Sequence, residues 1–440
     1  MQQICTLIDA SWIIPVVPAN KVFEDHSLAI SKDKIVDILP RSEASKKYKA
    51  DKYIDLHGHA LIPGLINTHT HAAMSLLKGY ADDLPLSEWL NEHIWPAEGK
   101  HVSHDFVYDG ASIAIAEMIK CGTTTFNDMY FFPEATAKAA ESAGIRACIG
   151  IIALEFPSAY AQNFDEYILK GIELHKNYAT SSLISTMLAP HAPYTVSPES
   201  LQKINRLAKE MGLHTQMHIH ETAFEIDQAE KETGNSPITN LNEIDFLSSK
   251  LLAVHMTQLT DAEIALISEK GVSVAHCPES NLKLASGFCP IAKLIEDEVN
   301  VCLGTDGSAS NNDLDMLGEM RTAALLAKGI SGKANAVPAH TALEIATING
   351  AKALGMDNKT GSLEVGKQAD ITAIDLNKIE STPIYDPISQ IVYATTRDQI
   401  SNVWVAGKQL LDNRKLTTLD ESKLICVAKG WQRKISAQTA

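Results

Sequence analysis

A (β/α)₈ barrel of the α/β class, with a small β-sandwich domain built from both chain ends, is the architecture this sequence predicts. Three observations lead to it. Eight short apolar runs of strand character alternate with amphipathic helical runs through the middle of the chain. The two ends share a different texture, brief strands broken by polar turns. The 440 residues are also more than one ordinary core fills, which suits a large barrel with an appendage.

In chain order, residues 28–30, 34–39 and 53–56 are brief apolar or alternating runs. Barrel strands are expected at 61–67, 123–129, 146–153, 184–190, 213–219, 251–255, 272–275 and 300–304. Helical stretches at 106–121, 198–212 and 261–271 separate several of them, and each ends near a glycine, a common helix stop. Residues 370–375 and 402–408 return to the strand-and-turn texture, and 421–436 reads as a terminal helix. The expected division is 1–62 with 363–440 as the composite sandwich, and 63–362 as the barrel. An open doubly wound sheet is the alternative, but no G-x-G-x-x-G fingerprint supports it.

Composition narrows the function. With 54 acidic against 38 basic residues the net charge is −16, which argues against a nucleic-acid partner. No apolar run approaches the roughly 20 residues that span a bilayer. The start, Met1-Gln2-Gln3-Ile4-Cys5, lacks the basic and apolar regions of a signal peptide, so the expected location is cytoplasmic, away from membranes. Seven scattered cysteines form no C-x-x-C pair. They read as reduced, mostly buried thiols.

Polar residues gather at the C-terminal ends of the expected strands, where barrels keep their chemistry. His69 and His71 close the first, two apart and so on one face. His191 follows the fourth; His218, His220 and Glu221 close the fifth; His255 closes the sixth and His276 the seventh; Asp306 follows the eighth. Three histidines and an aspartate make a nitrogen and oxygen site suited to zinc or another divalent metal, with room for a water. A lone strand-end histidine is more often a hydrogen-bonded polar residue, so the set carries the argument. His57-Gly58-His59 is a second H-x-H, but it precedes the apolar run and reads as structural. His101 and His104 read as surface residues. His218 and His220 compete for one ligand position; His218 is preferred because Glu221 stands three residues on. His276, beside Cys277-Pro278, reads as a support of the pocket wall.

The series Pro63-Gly64-Leu65-Ile66-Asn67-Thr68-His69-Thr70-His71, His218-Ile219-His220-Glu221, His255 and Leu303-Gly304-Thr305-Asp306-Gly307 resembles the metal-dependent amidohydrolase superfamily. The likeness is to its one-metal deaminase and chlorohydrolase branch. Leu86-Ser87-Glu88-Trp89-Leu90, Trp95-Pro96-Ala97-Glu98, Ser280-Asn281-Leu282-Lys283-Leu284 and Gly307-Ser308-Ala309-Ser310-Asn311-Asn312 resemble the 5′-methylthioadenosine/S-adenosylhomocysteine deaminases within it. The resemblance implies hydrolytic deamination of such a nucleoside, or of adenosine, to the inosine analogue and ammonia. It implies one divalent metal, zinc first, with iron or manganese served by the same donors. The implied ligands are His69, His71, His218 and Asp306. Asp306 would take the proton of the attacking water, and Glu221 would protonate ring N1 and then serve the departing amine. His255 would donate a hydrogen bond to the attacking oxygen or orient it. Glu98 would bind the ribose hydroxyls and His191 the nucleoside, with Glu221 and Asp306 also touching substrate. A homo-oligomer is implied as well.

Read without the family, Glu98 is a solvated helix-start carboxylate after Pro96. One departure bears on the substrate. Some family members hold the homocysteine carboxylate with arginines after the third strand. Here no arginine follows Arg146 through Leu201, and Arg146 itself falls at the strand's start. A methylthio group is therefore better served than an amino-acid tail. The fourth-strand run 184–190 has no lysine, against the two-metal hydantoinase type. Two alternatives stand beside this reading: a deaminase or chlorohydrolase acting on a free base or s-triazine, and an inactive barrel kept as a scaffold.

Overall fold

The computed structural model describes residues 1–437. Four strands come first: β1 (Gln2–Ile13), β2 (Phe23–Ser31), β3 (Lys34–Pro40) and β4 (Tyr48–Pro63). Eight follow, interleaved with helices: β5 (Leu65–Thr70), β6 (Thr123–Asp128), β7 (Arg146–Ala153), β8 (Ile184–Pro190), β9 (Thr215–Ile219), β10 (Leu251–His255), β11 (Ser273–His276) and β12 (Val301–Leu303). The chain ends with β13 (Ile371–Asp375), β14 (Ile400–Val405), β15 (Lys408–Asp412), β16 (Lys415–Leu416) and the helix Glu421–Ser436. Among the described residues, no helix is long and apolar enough to cross a membrane.

Strands β5 to β12 lie side by side in sequence order and run parallel. Helices cover their outer face, so the strands are buried on both sides, and some, such as β7 and β10, read as nearly unbroken apolar runs. The helix His104–Lys120 is typical. Ser103 caps it by accepting from Phe106 N, and its inner face buries Ala111, Ile115, Met118 and Ile119.

The barrel closes between β5 and β12 without a full ladder. Asp306 N donates to His69 O (3.0 Å), Thr68 Oγ1 to Leu303 O (2.7 Å) and Thr305 N to Asn67 Oδ1 (3.0 Å). This seam requires Gly304: a Cβ there would lie 2.8 Å from both His69 N and His69 Cβ. Gly304→Ala is expected to push β5 off β12, lowering stability by about 1–3 kcal/mol. A thermal melt checks this; an unchanged Tm would show that the seam yields freely.

Both chain ends build the second sheet, in the order β16-β15-β14-β13-β4-β1-β2-β3. It is a single mixed sheet in which only β1 and β4 run parallel. Ile8, Leu28, Ile30, Leu61, Ile371 and Trp404 form its own core. Arg146 ties it to the barrel. Buried at the start of β7, the guanidinium pairs with Asp370 (Nε to Oδ2 3.0 Å, Nη2 to Oδ1 3.2 Å). It is thus engaged at the base of the barrel.

Two expected strands are divided differently. Residues 61–63 end β4, and the barrel begins only after Gly64, where a Cβ would strike the Thr124 side chain at 2.0 Å. The apolar run is continuous because both strands are buried, so its pattern does not reveal the handover. Residues 402–408 span two strands, turning at Ala406 and Gly407, both at positive φ as a tight hairpin needs. His57 and His59 lie in β4, in the end sheet.

Candidate active site

The strand ends deliver four side chains to one point. His69 sits near the end of β5, His71 just beyond it, His218 in β9 and Asp306 three residues after β12. One donor atom from each lies within 4.8 Å of all the others. The Nε2 atoms of His69 and His218 are 3.1 Å apart, and Asp306 Oδ1 is 3.4 Å from His69 Nε2 and 3.2 Å from His71 Nε2. Tetrahedral ligands about 2.0–2.1 Å from a metal stand about 3.3 Å from one another. These separations fit that geometry.

The second layer of contacts fits it too. His71 Nδ1 donates to Met129 O (2.5 Å), His218 Nδ1 to His191 O (2.8 Å) and His69 Nδ1 to Gln216 Oε1 (3.3 Å). Nδ1 of each ring is thus engaged by an acceptor, which leaves Nε2 directed inward, the arrangement a metal ligand requires. Asp306 is held at Oδ2 by the hydroxyls of Ser280 (2.7 Å) and Ser310 (2.9 Å). Burial opposes its charge, yet His69 and His71 hold it well below the usual carboxylate range. Burial likewise opposes a proton on His71, but Asp306 raises it to about 9. The cluster thus calls for a positive charge, which a divalent cation supplies.

Around this group opens a cleft of about 810 Å³, mouth included, lined by Glu98, His191, Glu221, His255 and Asp306. Burial, and then the neighbouring Asp306, push the Glu221 carboxyl up to about 8. Its Oε2 stands 3.6 Å from His255 Nε2. His255 Nδ1 donates to Asn281 Oδ1 (2.9 Å), so the neutral ring faces the cleft with an accepting Nε2. His191 contacts Thr195 Oγ1 through Nδ1 (3.1 Å), and burial with the nearby histidines pushes it down to about 3, leaving it neutral. Both His255 and Asp306 are non-glycine residues at positive φ (75° and 62°), strain of the kind that gathers at functional sites.

Glu98 faces this cleft, against the reading of it as a solvated carboxylate. The segment after β5 folds back over the mouth in short irregular helices, including a π-helical turn, Trp89–Ile94, that runs directly into the helix Trp95–His101. Glu98 Oε1 accepts from Tyr130 Oη (2.6 Å), and burial pushes the carboxyl up to about 7.

The other histidines separate cleanly. His220 spends both ring nitrogens on the backbone: Nδ1 donates to Gln258 O (2.6 Å) and Nε2 accepts from Ile238 N (3.3 Å). It has no lone pair left for a metal. His276 is fully buried and is not among the residues that line the cleft; it stands close to His255, which is. His104 is exposed, while His101 is half-buried at the end of its helix. Sequence reasoning missed Gln216 and Tyr130. Gln216 stands two residues before His218 on the same face of a wholly buried strand, and a buried polar side chain there is the signal that would have found it.

A profile described as Amidohydrolase family matches residues 60–410. The chain is 49% identical to the 5-methylthioadenosine/S-adenosylhomocysteine deaminase of Teredinibacter turnerae, over 98% of both chains. It is 41% identical to the 5′-deoxyadenosine deaminase of Methanosarcina acetivorans, over 95% of both. Its structure superposes on a zinc-bound adenosine deaminase from Xanthomonas campestris with a TM-score of 0.98 and 45% identity, covering 99% of each chain.

Proposed function

The chain belongs to the amidohydrolase family, and we propose that it deaminates a 5′-modified adenosine, such as 5′-methylthioadenosine or S-adenosylhomocysteine, by hydrolysis at C6. The observation that carries this reading is the placement of Glu98. A carboxylate braced by Tyr130 faces the cleft that also holds the His69, His71, His218 and Asp306 group. One carboxylate can accept from both hydroxyls of a vicinal diol, and a free base has no diol to offer.

A divalent ion, zinc in this proposal, held by those four residues would supply the Lewis acidity that lets a water lose its proton near neutral pH. Asp306 Oδ1 takes that proton, while Ser280 and Ser310 keep Oδ2 in place. His255 Nε2 orients the attacking oxygen. Glu221, protonated at neutral pH, gives its proton to ring N1 as the oxygen adds to C6. The proton on Asp306 then passes to the amine, the C6–N bond breaks, and ammonia leaves. As the carbonyl forms at C6, its hydroxyl proton returns to Glu221. His191 packs beside the nucleoside as a neutral ring.

Ammonia release from the zinc-loaded protein tests this. Adenosine-type nucleosides are expected to be turned over and guanine and cytosine to be inert; faster release from either free base would overturn the reading. Glu98→Gln is expected to raise KM roughly 10- to 100-fold, the worth of hydrogen bonds to a charged acceptor. Because the Glu98 carboxyl titrates at about 7 and binds as the anion, the KM of the unmodified protein should climb as pH falls through 7. The Gln variant should show no such climb.

A further inference from the structure

Asp82, Lys283 and Asn312 come from three different loops, those after β5, β11 and β12, and close a ring of hydrogen bonds. Lys283 Nζ donates to Asp82 Oδ1 (2.6 Å), Asn312 Oδ1 (2.6 Å) and Ala309 O (3.3 Å), so each of its protons has an acceptor. Asn312 Nδ2 completes the ring by donating to Asp82 Oδ2 (3.1 Å). Lys283, with Asn312 adding to it against partial burial, holds the Asp82 carboxyl below its ordinary range. Asn312 stands at φ 76° after the helix Ser308–Asn311, a left-handed cap that asparagine tolerates.

The ring joins two parts of the site. Lys283 ends the helix Pro278–Lys283, whose Ser280 grips Asp306, and Asn312 follows the helix whose Ser310 does the same. Asp82 lies in the stretch 78–85, which holds no helix or strand and bends at Gly79 and Asp83, both at positive φ (68° and 61°). That stretch leads into the irregular helices that carry Glu98. We propose that Asp82, Lys283 and Asn312 form a clasp that fixes this segment to the frame holding Asp306, which makes Asp82 and Lys283 positioning residues for the nucleoside. The inference rests on the reading of Glu98 as the ribose ligand, since one nucleoside reaches both Glu98 and the metal group only if their separation is set. Next to Lys283, Leu284 packs in one cluster with Trp89, Ile94 and Ala97. Such packing is non-directional and holds the segment down; charge-assisted hydrogen bonds of fixed geometry give it its register.

The experiment measures kcat, KM and zinc content for Lys283→Met, Asp82→Asn and the double variant, with chymotryptic cleavage between Tyr80 and Trp95 as a second readout. Lys283→Met is expected to raise the KM for 5′-methylthioadenosine roughly 3- to 10-fold, the range of a partly exposed charge network. Zinc per chain should stay the same, kcat should change little, and cleavage should be faster. The double variant should be no worse than the poorer single one, because both changes break one ring. Cleavage no faster than in the unmodified protein would mean that packing alone holds the segment, and would overturn the clasp. So would KM effects that multiply in the double variant, or a KM that stays put where Glu98→Gln raises it. Should Glu98→Gln itself leave KM unmoved, the ribose reading falls and the positioning role with it; the cleavage rates then still decide whether the ring holds the segment.

Discussion

Replacing Glu221 by Gln is expected to lower kcat by roughly 10²- to 10⁴-fold, the usual worth of a positioned acid or base, with the metal content of the protein unchanged. Glu221 is buried at the end of β9, and burial with Asp306 nearby raises its carboxyl to about 8. At neutral pH it therefore carries the proton that ring N1 needs. An amide fills the same space and can donate a hydrogen bond, but it cannot give up a proton. The loss should fall on kcat more than on KM. The pH profile separates this from a packing defect. The acid form does the work, so turnover in the unmodified protein should decline as pH rises through about 8. With the Glu98 titration at about 7 on the other side, kcat/KM should peak between the two. The Gln variant should lose the alkaline limb. A variant retaining more than a tenth of the original kcat would remove Glu221 from the proton path.

Asp306→Ala is expected to lose bound metal and turnover together, the latter by at least about 10³-fold. Asp306 is the one anion in the group. Without it, three neutral imidazoles would face a doubly charged ion in a buried site with nothing to balance it. The hydroxyls of Ser280 and Ser310 would lose Oδ2 as an acceptor but keep each other and Gly307 O, so the fold is expected to survive the change. Metal per chain, measured by atomic emission after zinc loading and desalting, reads the first effect directly. One retained equivalent together with substantial ammonia release would mean that Asp306 neither holds the ion nor takes the proton.

The candidate ligand set was legible because of its position. His69, His71, His218 and Asp306 each follow or close an apolar run, and a closed parallel barrel brings every such strand end to one rim. The sequence preferred His218 over His220 only through the carboxylate three residues on, Glu221. Alternation alone puts both on one face, and only the bonds from His220 to Gln258 and Ile238 show it turned to the backbone. Glu98 was not readable from the residues themselves. Its direction is set by a π-helical turn in an irregular segment, and no hydrophobic period encodes such a turn. Tyr130 and Asn281 act on side chains far away in sequence, so spacing says nothing about them. The handover at Gly64 was hidden for a related reason: two strands buried in different sheets make one apolar run.

The end sheet has a consequence for how the chain is made. Strand β4 is flanked on one side by β1, available early, and on the other by β13, where Ile371 pairs with Pro63. Roughly 300 residues separate these partners, and at about 5–20 residues per second the ribosome needs on the order of 15–60 s to bridge the gap. Throughout that interval a nascent chain carries a long strand with one open edge, a surface prone to pairing with other chains. Shielding that edge until translation is nearly finished is therefore expected to raise the yield of folded protein. Premature termination before β13 leaves it permanently bare.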